Sequence, residues 1–229
     1  MEKVYKNKFV SAIITAAGSG SRMKAGLPKL ELEINNKPLI SYTVEKFTSM
    51  DVFDEIILLT SQELLETYKT RYRDFKNLKV VLGGSSREET TYLGLKSLDS
   101  KSDLVVCHDG ARPLVDPEII LQSLESASEF GSGIAAVKVK DTIKFAENNI
   151  VQLTPNRNKL YQVQTPQTFK TDLILKAYKN FFGKVSPTDD SSYLEFLDEE
   201  VHLVAGSYKN IKITTKEDLL FTKMLMEEK

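Results

Sequence analysis

Phe9-Val10-Ser11-Ala12-Ile13-Ile14 runs without a break into Thr15-Ala16-Ala17-Gly18-Ser19-Gly20-Ser21-Arg22-Met23, and Pro28-Lys29 follows a few residues on. The first six residues form an apolar run of the kind that makes a strand buried on both faces. The segment after it is rich in small residues, which let the backbone come close to a ligand and let successive amide N–H groups form an anion-binding nest. Phosphate is the natural guest at the carboxyl end of such a strand. Other phosphate motifs do not fit. There is no Gly-Lys-Ser/Thr, which excludes a P-loop, and Met23 stands where a dinucleotide fingerprint needs its third glycine. The second strand also ends at Thr60, where a nicotinamide-binding fold would place a carboxylate for the ribose.

Further β-branched apolar runs occur at Ile56 to Leu59, Val80 to Leu82, Leu104 to Cys107 and Ile134 to Val137, and they read as buried strands. Helical spacing fills the intervals. Pro38 stands at a first helical position ahead of Ile40, Val44 and Phe47, which share one face. Thr60 with Glu63, and Ser86 with Glu89, match capping boxes, and Asp116 before Pro117 reads as an N-cap followed by an N1 proline. Alternation of strand and helix predicts an α/β fold with a doubly wound, mostly parallel sheet, whose ligands lie beyond the carboxyl ends of the strands. After Val137 the pattern changes. Ile143 and Phe145 alternate with polar residues, Asn148-Asn149 supply turn chemistry, and Ile150 to Leu153 make a second short run. This hairpin holds too few apolar residues for a core of its own, so it packs either on its own domain or on another subunit. Helices from Thr171 and around Asp190 to Leu197, a strand at Val201 to Val204, and a last helix opened by Thr215 and Asp218 complete the expectation.

The 31 basic residues nearly balance the 32 acidic ones, so no overall field points to nucleic acid or a membrane surface, and any anion site must be built locally. A single cysteine, Cys107, fits a reducing compartment, and a cytoplasmic location without membrane or nucleic-acid partners is expected. Cys107 and His108 are neighbours on a strand and point to opposite faces, so they do not make a nucleophile and base pair. Asp109 ends an apolar strand, where a carboxylate caps a helix or binds magnesium or ribose hydroxyls. Lys212 between Ile211 and Ile213 has the spacing of a strand with a solvated lysine, and Arg112 before Pro113 has that of an exposed turn.

Taken together, Ala16-Ala17-Gly18-x-Gly20-x-Arg22-Met23 with Pro28-Lys29 resembles the signature loop of the nucleotidyltransferases that activate sugars and polyols, in particular the 2-C-methyl-D-erythritol 4-phosphate cytidylyltransferases. In order along the chain, Gly83-Gly84-x-x-Arg87, His108 to Pro113, Asp141-Thr142, Arg157, Thr165-Pro166-Gln167, Thr188-Asp189 and Asn210 to Thr214 resemble further blocks of that family. The resemblance implies one nucleotidyltransferase domain over 1–229 of Rossmann-like topology, with a protruding β-hairpin arm at about 138–160. It implies transfer of CMP from CTP to methylerythritol phosphate, with ribitol 5-phosphate as the alternative acceptor and a non-catalytic nucleotide-binding module as the alternative of another class. Arg22, Lys29 and Lys212 become the catalytic cations. Ala16, Ala17, Gly18, Gly20, Gly83, Arg87, Thr90 and Asp109 hold the nucleotide, and Asp109 also holds Mg²⁺. Thr142, Arg157, Thr165 and Thr188 bind the polyol phosphate, and because the arm serves the other subunit a homodimer is implied. Two departures from the family pattern stand out: Asn156 in place of an aspartate and Gly110 in place of an alanine.

Overall fold

The structure is a computed structural model that describes residues 7–18 and 28–227. The first apolar run forms β1 (Phe9–Ala16), and β2 (Glu33–Ile34) with β3 (Lys37–Pro38) makes a small hairpin before α1 (Leu39–Thr48). The central part alternates β4 (Glu55–Thr60), α2 (Leu65–Arg71), β5 (Leu78–Leu82), α3 (Arg87–Lys96), β6 (Ser102–Asp109), α4 (Pro117–Phe130) and β7 (Ser132–Lys138). The arm follows as β8 (Phe145–Glu147) and β9 (Ile150–Leu153). The chain then returns through β10 (Tyr161–Lys170), α5 (Thr171–Phe181), α6 (Ser192–Glu195), β11 (Leu203–Ala205) and α7 (Lys216–Glu227).

Seven strands form one sheet in the order β11-β7-β10-β6-β1-β4-β5. The pairings β6-β1, β1-β4, β4-β5 and β11-β7 are parallel, while β10 runs antiparallel between β6 and β7. The two-residue period of the strands divides the core into two faces. Val10, Ala12, Ile14, Ile56, Leu58, Leu104 and Val106 face α1, α2 and α4. Ile13, Ile57, Leu59, Val105 and Cys107 face the opposite layer, which contains α5 and α6. With both sides covered, the continuous apolar runs of the sequence are what such a sheet requires. Cys107 and His108 do fall on opposite sides: the thiol is in the second cluster and the imidazole lies against Phe47 of the first, ring centroids 5.0 Å apart.

Several local expectations hold. Ile40, Val44 and Phe47 form the buried face of α1. The Ser86 hydroxyl accepts the Glu89 N–H at 3.0 Å and caps α3, although Glu89 reaches back to Ser85 and not to Ser86. The Asp116 carboxylate accepts the Glu118 N–H at 3.0 Å, Pro117 opens α4, and Gly131 closes it with φ +96°, a conformation that glycine adopts without penalty. Asn148 and Asn149 take φ 49° and 64°, the left-handed pair that a two-residue hairpin turn needs.

Others are corrected. Thr60 caps nothing: it pairs with Ala16 and Leu82 inside the sheet, and α2 starts only at Leu65, with no side-chain cap. Pro38 precedes the first helical residue because it still pairs with Glu33 in the small hairpin. Residues 210–214 do not form a strand, and α6 is shorter than expected. β10 went unread, because Gln164, Thr165, Gln167 and Thr168 are buried yet polar and Pro166 interrupts the run. The proline is tolerated because it lies in a bulge, where the pairing with β7 moves from Val163↔Ala136 to Gln167↔Ile134, four steps along β10 against two along its partner.

Asp116→Ala is expected to lower stability by about 1 kcal/mol, seen as a lower urea midpoint at unchanged slope, with catalytic turnover unaffected because the cap lies away from the cleft.

Candidate active site

Chain order reverses between β1 and β6, with β4 and β5 laid down on one side of β1 and β6 on the other, and ligands of open α/β sheets bind at such a switch point. Thr15 and Asp109 are partners in register there. A cleft of about 510 Å³ opens beyond them, within the roughly 300–1,000 Å³ usual for small-ligand sites. Ala16, Ala17 and Gly18 line it from β1, Lys29 follows from the short 3₁₀ turn Lys29–Glu31, Gly84 to Arg87 and Thr90 form another wall, and Asp109 and Lys212 complete it. A Cβ on Gly18 would meet nothing within 4 Å among the described residues. Gly20 and Arg22 lie outside the described residues.

Gly83 backs the second wall and does not face the cleft: a Cβ there would fall 2.4 Å from the Ala17 Cβ, so only glycine lets the two loops approach this closely. The Thr90 hydroxyl donates to the Ser86 carbonyl at 2.7 Å and accepts the Gly84 N–H at 3.1 Å, which fixes the curve of the loop. Gly110 is similarly confined. A Cβ on it would come 2.8 Å from Ile40 Cδ1, so the alanine of the family pattern would crowd α1 here.

The floor is electrostatic. Asp109 is almost wholly buried and its carboxylate meets three cations: Lys212 Nζ at 2.9 Å, Arg87 Nε at 3.2 Å, and Arg112 Nε at 3.5 Å, an ion pair too poorly aligned for a hydrogen bond. Burial alone would raise its pKa, but Arg87, Lys212 and Arg112 outweigh that and hold it well below the usual carboxylate range. Arg87 is itself gripped by Asp190, with Nη1 and Nη2 donating to the two carboxylate oxygens at 3.0 and 2.8 Å, and the Tyr178 hydroxyl donates to Asp190 at 2.7 Å. Lys29, Arg87, Arg112 and Lys212 thus gather at a cleft whose floor holds the carboxylate of Asp109, although the whole chain carries a net charge of −1.

A buried hydrogen-bond chain sets Asp109 in place. Its N–H donates to the Thr165 hydroxyl at 3.1 Å, and that hydroxyl lies 3.1 Å from His108 Nδ1. His108 Nε2 is 3.2 Å from the Arg112 carbonyl and can only donate to it, so in the neutral ring Nδ1 accepts from Thr165. Burial, only partly opposed by the bond to that carbonyl, pushes the His108 pKa down to about 4, which preserves that polarity at neutral pH. Arg112, expected as an exposed turn residue, is mostly buried and donates to the Asn210 carbonyl at 2.7 Å. Asn210 in turn donates to the Thr165 carbonyl at 2.8 Å, and the Ile213 N–H donates to the Ala111 carbonyl at 2.9 Å. These bonds carry Lys212 over the floor.

The structure therefore joins Lys29 and Lys212 in one cleft with Ala16, Ala17, Gly18, Arg87, Thr90 and Asp109. Thr165 lies beneath the floor and not at its surface, and Thr188 sits on an exposed loop with its hydroxyl 3.3 Å from that of Ser192. Thr142 and Arg157 lie on the arm, outside the cleft of their own chain. Arg157 donates to the Lys140 carbonyl at 2.8 Å, and Asn156 caps the short turn after it by accepting the Asn158 N–H at 3.0 Å, so the asparagine found here retains the capping role. Sequence reasoning missed Asp190 and Tyr178. Their one signal was the excess of polar residues in Thr188-Asp189-Asp190-Ser191-Ser192, more than a four-residue helix needs for a cap.

A doubly wound sheet whose switch-point cleft pairs a small-residue loop with converging cations defines a nucleotidyltransferase. The family model of 2-C-methyl-D-erythritol 4-phosphate cytidylyltransferase (IspD) matches residues 10–228, and the chain belongs to that family. The cytidylyltransferase of Alkaliphilus oremlandii is 42% identical over 233 residues, covering 99% of this chain and 98% of its own, and that of Clostridioides difficile is 40% identical over 225 residues, covering 94% and 93%. The crystal structure of 4-diphosphocytidyl-2C-methyl-D-erythritol synthase from Anaerococcus prevotii superposes with a TM-score of 0.86 at 37% identity, covering 96% of this chain and 99% of that one. The Francisella tularensis enzyme gives 0.79 at 31% identity, covering 95% and 99%. Among the described residues no helix is long and apolar enough to cross a membrane.

Asp190→Asn is expected to lower stability by about 2 kcal/mol in chemical denaturation. That is less than for a fully buried pair, because Arg87 keeps a third of its side-chain surface exposed and can rehydrate.

Proposed function

We propose that this chain transfers the CMP moiety of CTP to 2-C-methyl-D-erythritol 4-phosphate through the cleft at the β1-β6 switch point. One observation carries the assignment of residues: Lys29 and Lys212, far apart in the chain, line the same cleft as the small-residue loop. An oxygen of the acceptor phosphate attacks the α-phosphorus of CTP, the bond from that phosphorus to the α,β-bridging oxygen breaks, and pyrophosphate leaves. A phosphate monoester has its second pKa near 6, so the nucleophile is already largely anionic at neutral pH and needs no strong base from the protein. What it needs is relief from charge crowding. Lys29 with Arg22 serves the triphosphate, and Lys212 serves the attacking and α-phosphates, where a compact ammonium can follow a moving charge.

Asp109 holds Lys212 over the floor, and Arg87 with Thr165 fixes Asp109. Cytosine lies against the Gly84 to Arg87 loop, whose backbone is curved by Thr90. The fit to Mg²⁺ rests on the donor chemistry. No group of three or more potential metal-binding side chains occurs among the described residues, and Asp109 already meets Lys212, Arg87 and Arg112, so Mg²⁺ would take most of its ligands from phosphates and water. When bound, Mg²⁺ neutralises charge on the triphosphate and the departing pyrophosphate.

The same reading makes the chain a homodimer. Thr142 and Arg157 sit on an arm whose strands β8 and β9 are exposed throughout, with Phe145, Ile150, Val151 and Leu153 among the largest exposed apolar groups, and they reach the polyol phosphate in the partner's cleft. A cytoplasmic setting agrees with the buried, unpaired Cys107.

Lys29→Ala and Lys212→Ala are each expected to slow pyrophosphate release from CTP and methylerythritol phosphate by roughly 10²–10³-fold; wild-type rates from both would refute the site. A second measurement addresses the arm. Lys212→Ala and Arg157→Ala chains, each inactive alone, should on dissociation and remixing regain roughly a quarter of wild-type activity, because half the dimers are mixed and each mixed dimer has one intact site. No recovery would show that the arm serves its own subunit.

A further inference from the structure

Lys29 opens the 3₁₀ turn Lys29–Glu31, which closes with the Glu31 N–H on the Pro28 carbonyl at 2.8 Å, and Leu30 at its centre is buried in the core. Glu31 points away from the cleft, toward the end of α2. There Arg71 meets it with both prongs, Nη1 on Oε1 at 2.7 Å and Nη2 on Oε2 at 2.7 Å. The guanidinium rests on an aromatic shelf, 5.2 Å from the Tyr68 ring centroid and 6.0 Å from that of Tyr72. Both rings are rooted in the core, and the Tyr72 hydroxyl lies 3.0 Å from the Ser41 hydroxyl of α1. A planar fork facing a carboxylate fixes angle as well as distance, which a point charge does not. The paired guanidinium, acting mainly through that hydrogen bond, also holds the Glu31 carboxyl below its ordinary pKa.

Neither Glu31, Arg71 nor any other residue of α2 lines the cleft, so this pairing has no direct part in binding. Its geometric effect is on the backbone two residues from Lys29. We infer that Arg71 is a positioning residue for Lys29: by clamping Glu31 to α2 it sets where the root of the Lys29 side chain stands relative to the phosphates. The inference rests on the role given to Lys29 above. Displacement of a reacting group by about 1 Å costs as much as 10²-fold in rate, so a clamp on the turn acts on turnover even though it touches no substrate.

A double-mutant cycle tests it. Arg71→Lys keeps the charge and loses the fork. In the wild-type chain it should lower kcat about tenfold while the KM for CTP moves less than about twofold, and in a Lys29→Ala chain it should lower kcat less than about twofold further, because coupled residues are not additive. Ser41→Ala, which loses the Tyr72 contact but leaves the fork, should lower Tm and keep kcat. An Arg71→Lys effect of the same size in both backgrounds, or none in either, overturns the inference. Should Arg71→Lys fail to fold, Glu31→Gln must show the same non-additivity with Lys29→Ala for the inference to stand. A Lys29→Ala chain with wild-type turnover would refute the role of Lys29 itself, and the clamp's purpose with it.

Discussion

The active site is organised by one buried carboxylate held among three cations. Asp109 sits at the end of β6 with Lys212, Arg87 and Arg112 around it, and those cations come from three separate stretches of the chain. Arg87 opens α3 and is tied to Asp190 before α6, Arg112 to the carbonyl of Asn210, and Lys212 belongs to the segment after Asn210. A buried charge without partners would be costly, and one partner would leave its desolvation poorly offset. The convergence at Asp109 therefore ties the loop that carries Asp190 and the segment from Asn210 to Lys212 to the same cleft. Lys212 occupies the cleft because the carboxylate beneath it attracts it there, and its charge remains within reach of an incoming phosphate.

β10 makes this arrangement possible. Running antiparallel between β6 and β7, it brings polar side chains into the centre of a sheet that is otherwise apolar. Thr165 supports Asp109 from below, Gln167 receives the Ser191 N–H at 3.0 Å and donates to Asp189 at 2.8 Å, and Gln164 accepts from Asn210 at 3.2 Å. The buried polar side chains that β10 itself contributes, Gln164, Thr165, Gln167 and Thr168, each have a partner, the condition under which such groups give a single well-defined arrangement in place of a destabilised core. The bulge at Gln164 to Pro166 frees these residues from the regular ladder just where they are needed.

Much of this was legible in the sequence, and the rest was hidden for identifiable reasons. Strands β1, β4, β5, β6 and β7 announced themselves because both of their faces are apolar. The hairpin showed through Asn148-Asn149, since few residue pairs adopt two left-handed conformations in succession. The loop after β1 was readable because a phosphate site needs small residues, whereas Lys29, Arg87 and Lys212 stood out only through the resemblance of their blocks to the family; by its spacing alone Lys212 read as a solvated strand lysine. β10 was not readable, because its buried side chains are satisfied by partners distant in sequence and look like those of a polar loop. Arg112 and Asp190 were hidden for the same reason. The pairing of Glu31 with Arg71 spans 40 positions and has no local signature at all. Thr60 with Glu63 shows the reverse error, a local cap signal overridden by strand pairing.

The two borders of the sheet carry a consequence for how copies of this chain meet. An open strand edge is a template on which a stray chain can zip up, and a seven-stranded apolar sheet has two of them. One is trimmed: β11 has only three residues. The other, β5, carries Lys79, whose ammonium is held 2.7 Å from the nearly buried Glu55 and remains largely in solvent, so a neighbouring chain would have to desolvate a charge to extend the sheet there. Exposed apolar side chains occur on the arm, at Phe145, Ile150, Val151 and Leu153, and also at Leu82 and Leu203 on the two edge strands and at Leu220, Phe221 and Met224 of α7. Each border of the sheet is thus guarded against strand addition by a different device, brevity at one and a solvated charge at the other.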